Sequence, residues 1–144
     1  MSLLEIVSAP RCRSYADVLE RLSAINAALP AADGLRWFNT LYTDMTGAVA
    51  ARAQANGFLD PSFLEALDCN FAELYFAALA SFLRDEDSVP AAWRPLFERR
   101  FARDLAPVQF ALAGVNAHIN RDLPVALVTT FQRFAPGPSR EDDR

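Results

Sequence analysis

The sequence predicts an all-α fold, a single domain of five or six helices. Three observations point there. Apolar side chains recur at spacings of three and four in every long segment. No stretch alternates apolar and polar residues as a half-buried strand would, and no repeat is present. Helix start and stop signals also punctuate the chain at helical lengths, the clearest being Asp60-Pro61, a capping acid followed by proline at a first helical position.

Residues 1–13 read as a lead-in that Pro10 ends. Ser14 caps a first helix, with Asp17 at the capping-box position, and Tyr15, Val18, Leu22, Ile25 and Leu29 form its stripe up to Pro30. Asp33-Gly34 opens a second helix, in which Leu35, Phe38, Leu41, Tyr42, Met45 and Val49 share a face. Gly57 stops it, and Asp44, Arg52 and Gln54 face water or a boundary. From Asp60-Pro61 a third helix runs to about Leu83, with Asp68 at the edge of its apolar face near Tyr75 and Leu79. A shorter helix spans 90 to about 103. Trp93, Leu96, Phe97 and Phe101 point inward, while Arg94, Glu98, Arg99, Arg100 and Arg103 form its wet side.

The fifth helix, about 107–122, is expected at the centre. From Leu105 to Asn120 there is no formal charge, and Ala113, Gly114 and Ala117 allow close helix approach. Pro124 breaks or kinks it, and Val125 to Phe131 continue as helix or as a second segment. The domain is expected over 1–135, and the polar, turn-rich 136–144 as a disordered tail.

Composition narrows the function classes. Of the 144 residues, 52% are hydrophobic and 22% charged, enough apolar material for a core. A net charge of −4 argues against nucleic acid as a main partner. No uncharged apolar run reaches the roughly 20 residues that span a bilayer, so no membrane is expected. The N-terminus has no basic region ahead of its apolar residues, so a cytoplasmic protein with reduced Cys12 and Cys69 is expected. A glycine-rich phosphate loop, a nucleophile elbow, a CxxC pair and a dinucleotide fingerprint are all missing, and no cofactor is indicated.

The polar chemistry lies on the fifth helix. His118, the only histidine, and Asp122 are four apart and share a face. Asn116 and Asn120 share another, roughly 160° away on a regular helix, so any one site takes one pair and adds residues from other helices. The His118/Asp122 couple has three readings. It is a structural pair with a fixed tautomer, an acid/base pair, or two ligands of a metal completed by Asp68 or Asp44. Asn116 and Asn120 read as amides satisfying backbone groups or orienting a polar ligand. Asp68, Tyr75 and Tyr42 are the candidates to reach in from other helices. A small-molecule-binding protein or enzyme thus stands beside a non-catalytic scaffold or interaction module in which the same polar network is structural.

Gln109-Phe-Ala-Leu-Ala-Gly-Val-Asn-Ala-His-Ile-Asn-Arg-Asp-Leu-Pro124 resembles the signature of a bacterial family known only as a domain of unknown function, DUF5995. Phe38-Asn-Thr-Leu-Tyr42, Phe58-Leu-Asp-Pro61, Leu67-Asp-Cys-Asn-Phe-Ala-Glu-Leu-Tyr-Phe-Ala77 and Val89-Pro-Ala-Ala-Trp-Arg-Pro-Leu-Phe97 extend the resemblance over 14–131. It implies an all-α bacterial protein and no particular reaction. It also implies further helices beyond the equivalent of Phe131. Their absence here is expected to leave an apolar surface on which another copy or another protein can pair.

Overall fold

A helix that the sequence did not announce opens the chain. In the computed structural model, which describes residues 1–135, α1 spans Leu3–Val7. Ser2 and Glu5 close a reciprocal capping box on it, Ser2 N–H donating to Glu5 Oε2 at 2.8 Å and Glu5 N–H to Ser2 Oγ at 3.1 Å. Next comes α2, Tyr15–Ala28, capped by Ser14 as expected. The Asp17 carboxylate reaches past the cap and accepts from Arg13 N–H at 2.8 Å. Helix α3 spans Leu35–Gln54 and α4 spans Pro61–Leu83, where Asp60 accepts from Phe63 N–H at 3.1 Å. The short α5 is Arg94–Arg99. Pro107–Ala117 forms α6, His118–Asp122 a wider π-helical turn, and Leu123–Phe134 α7. The last three are continuous and act as one rod. Counted so, there are six helices, and no strand occurs among the described residues. The tail expected over 136–144 lies outside them.

Packing follows the apolar stripes. Helix α2 lies on α3, α3 on α6, α4 on α7, and α1 closes against α2 and α4. Val18, Leu22 and Ile25 of α2 meet Leu35, Tyr75, Phe76, Leu79, Trp93, Leu96 and Phe97 in a continuous core. By length and composition α4 is apolar enough to cross a membrane. Here its apolar side chains Ala72, Phe76 and Leu79 are buried among those of the other helices.

Three expectations for the segment 90–103 need correction. The segment after Trp93 holds only six residues of helix, because residues 90–93 form a turn ahead of it and Arg100 caps its end. Arg100, assigned to the wet side, is buried. It holds Asp33 through Nη2 at 2.7 Å and Nε at 2.9 Å, and Gly34 N–H donates to its carbonyl at 2.5 Å. This ties the chain after α5 to the start of α3. Phe101, assigned inward, is 56% exposed. A helix face persists only while the helix does.

The rod is also less enclosed than its uncharged sequence implied. Val108 and Leu112 are each 60% exposed and Ile119 is 43% exposed. The inward side of α6 is its small-residue side: a Cβ on Gly114 would lie 2.3 Å from the Phe38 ring. Close approach there leaves Val108, Leu112 and Ile119 outward, while Phe110 stays buried. Helix α4, with Cys69, Asn70, Ala72, Tyr75, Phe76, Ala78, Leu79 and Ala80 all buried, occupies the more central place.

Candidate functional site

Pro124 shapes the rod where the polar residues lie. Proline has no N–H to donate, and its ring crowds the carbonyl four residues back. The turn ahead of it widens, and Leu123 N–H bonds to the carbonyl of His118, five residues earlier. His118 and Asp122 both end up buried on the inner side of this wide turn.

Asp122 collects three donors. His118 Nδ1 lies 2.8 Å from its Oδ2, Trp93 Nε1–H donates to the same oxygen at 2.9 Å, and Arg121 Nη1 donates to Oδ1 at 2.8 Å. An ionised carboxylate only accepts hydrogen bonds, so this arrangement assigns the imidazole proton to Nδ1. Nε2 is left as a bare acceptor. Burial holds the His118 pKa below its ordinary 6.5, against the opposing hydrogen bond and charge of Asp122. The ring is therefore neutral at pH 7. Its face stacks on Phe71, with centroids 3.6 Å apart and planes 5° from parallel, and the Tyr42 ring meets it at 4.7 Å.

Beside Nε2 lies a cavity of about 230 Å³ between α3, α4 and the rod. Its walls are Phe38, Val49, Leu64, Leu67, Phe71, Val115 and Leu123, and exposed Leu41, Met45 and Ile119 rim its mouth. Four polar residues also line it: Tyr42, Thr46, Asp68 and His118. Each carries a buried polar atom with no hydrogen-bond partner in the protein, namely Tyr42 Oη, Thr46 Oγ1, Asp68 Oδ2 and His118 Nε2. No arginine lines the cavity. Burial first, and the nearby Glu65 charge second, push the Asp68 pKa up to about 7. Burial also raises the Tyr42 phenol well above its usual 10, so it keeps its proton.

The candidates from the sequence divide accordingly. His118 and Asp122 come together, and Tyr42 and Asp68 line the cavity that His118 faces. Tyr75 does not reach it. That hydroxyl donates to Asn39 Oδ1 at 3.0 Å, and Asn39 Nδ2 donates to the Leu22 carbonyl at 2.9 Å, which places Tyr75 inside the core. Asn116 and Asn120 are exposed, bond to one another at 2.5 Å, and lie outside the lining of the cavity beside His118. The metal reading finds no third ligand. Among the described residues no cluster of three or more His, Cys, Asp or Glu side chains is placed to share an ion, and Asp44 is exposed. Both Asp122 oxygens are already engaged. Three contributors were missed. Thr46 carried a local signal, being a polar residue four positions after Tyr42 on the same face. The stacking of Phe71 and the bond from Trp93, 29 residues from Asp122, depend on tertiary packing and had no local signal.

A family model described as "Family of unknown function (DUF5995)" matches residues 15–144, continuing through the C-terminal residues beyond the stretch that carried the resemblance. No curated protein and no solved structure matches the sequence. The chain belongs to the DUF5995 family.

Proposed function

We propose that this member of DUF5995 binds a small, uncharged, largely apolar molecule in the cavity between α3, α4 and the π turn, and that His118 Nε2 accepts a hydrogen bond from its polar group. The observation that carries this reading is a concentration. Buried polar side-chain atoms without a partner number five among the described residues, and four of them belong to residues that line this one cavity. Buried polar groups are ordinarily paired, and leaving one unmet costs about 1–3 kcal/mol. A purely structural role for the His118–Asp122–Trp93 network accounts for Nδ1 and leaves Nε2 unexplained.

Size and charge define the ligand class. A cavity of about 150 Å³ holds a benzene-sized molecule, so 230 Å³ admits a substituted ring or a short branched chain. Asp68 and the apolar walls disfavour an anion. Tyr42 and Thr46 offer hydroxyl donors, and His118 offers the acceptor. The dyad also suits His118 to take a proton, since the imidazolium formed would sit against the Asp122 carboxylate.

Benzyl alcohol and phenylacetone, with phenylacetate as an anionic counterpart, test the reading by amide and aromatic NMR. The two neutral probes are expected to shift the resonances of Tyr42, Thr46, Phe71 and His118, and phenylacetate to leave them in place. No shift with either neutral probe, or equal shifts with all three, refutes it.

A further inference from the structure

We propose that the cavity catalyses proton exchange at the carbon next to a carbonyl, enolising a small neutral ketone or aldehyde with His118 Nε2 as base and the Asp68 carboxyl as acid. This rests on the ligand-binding reading above and names its substrate class. The geometry sets two proton-exchanging groups at one cavity from different helices. Asp68 and Phe71 are three apart on α4 and share a face. The Phe71 ring lies flat on His118 at 3.6 Å, and Asp68 and His118 both line the same cavity. Both carry an unmet atom, Oδ2 and Nε2. A carbonyl oxygen answers the acid and the adjacent C–H answers the base.

The step balances without an oxidant or co-reactant. The C–H bond breaks and its proton goes to Nε2. The bonding pair becomes the C=C bond, and the carbonyl π pair takes the Asp68 proton to form the enol O–H. The imidazolium is held by Asp122, and reversal returns both protons. Each group is in the state the step needs near neutrality, the imidazole neutral and the carboxyl protonated up to about 7. Glu65 and Cys69 from α4, Tyr15 from α2, Tyr42 from α3 and His118 from the rod are the titratable groups around Asp68. Asp122, Tyr42, Tyr75 and Asp68 are those around His118.

Exchange of the benzylic protons of phenylacetone in D₂O, followed by proton NMR with the full chain, is the test. Saturable exchange above buffer is expected, rising with pH as His118 loses its proton and falling above about 7 as Asp68 loses its own. Asp68→Asn is expected to slow exchange by about 100-fold and to abolish the fall on the alkaline side. If that variant does not fold, the alkaline limb of the wild-type profile decides. Shifted cavity resonances without exchange would overturn this inference and leave ligand binding standing, while no shifts would remove both. Unchanged exchange in Asp68→Asn overturns the role of the carboxyl.

Discussion

Replacing Asp68 with asparagine should stabilise the protein, and by an amount that grows with pH. In the folded chain the carboxyl holds its proton up to about 7, against an ordinary value of 3.8. Between those two values the folded state binds a proton that the unfolded state has released, so stability falls as pH rises. At about 1.4 kcal/mol per pH unit, the gap corresponds to a loss of about 4 kcal/mol, complete once the pH passes 7. Asparagine has nearly the same shape and does not titrate. The stability difference between variant and wild type should therefore climb from its value near pH 4 by about 4 kcal/mol at pH 8. Other carboxylates titrate in both proteins and cancel in the difference. At a denaturant sensitivity of about 2 kcal/mol per molar urea, the midpoints should separate by about 2 M more at the alkaline end. A midpoint gap that stays flat across this range refutes the reasoning, as does a ¹³C carboxyl titration placing Asp68 near 4.

Three further substitutions probe the surroundings. Asp122→Asn keeps the shape and removes the charge from two fully buried hydrogen bonds, with Arg121 free to turn to water. It should cost about 2–4 kcal/mol in thermal melts and move the Trp93 indole N–H resonance. Gly114→Ala places a methyl 2.3 Å from the Phe38 ring, which Tyr42, Tyr75 and Trp93 already crowd. About 1–3 kcal/mol of stability should be lost in urea unfolding, and probe binding should weaken because Phe38 is a cavity wall. Asn116→Ala combined with Asn120→Ala removes only an exposed pair, and the melting curve should match wild type within about 0.5 kcal/mol.

What the sequence revealed was what depends on neighbouring residues. The bounds of α2 and α4 were readable because Ser14 and Asp60-Pro61 act on backbone groups within three positions. His118 and Asp122 were readable as a pair because four residues make one turn. Helix α1 has five residues, too few for a periodic stripe to stand out. Arg100 looked solvated because its partner, Asp33, is 67 positions away. The two tyrosines mark the same limit. Periodicity turned both Tyr42 and Tyr75 inward, but whether a side chain meets a cavity or an asparagine is settled by the helix opposite. Neutral composition likewise showed that α6 avoids charge and did not show that it is enclosed.

Elsewhere among the described residues, Tyr15 Oη apart, buried polar side chains are matched. Arg100 meets Asp33, Tyr75 meets Asn39, Asn70 Nδ2 meets Thr130 Oγ1 at 2.9 Å, and Trp93 meets Asp122. A chain that pairs these groups across long sequence separations has the means to pair Thr46 or Asp68 as well, or to place valine and leucine there. Water is a poor substitute as occupant. At about 30 Å³ per molecule, and with about three hydrogen bonds wanted by each, a filled cavity of 230 Å³ would hold several waters against walls that are almost wholly apolar. On the proposed reading, an apolar molecule with one carbonyl or hydroxyl would suit these walls better. Its binding would also offset the Asp68 penalty, which at neutral pH is large beside the 5–15 kcal/mol that typically holds a domain folded. On the proposed reading, the cavity is where this protein gives up stability, and a bound molecule would return it.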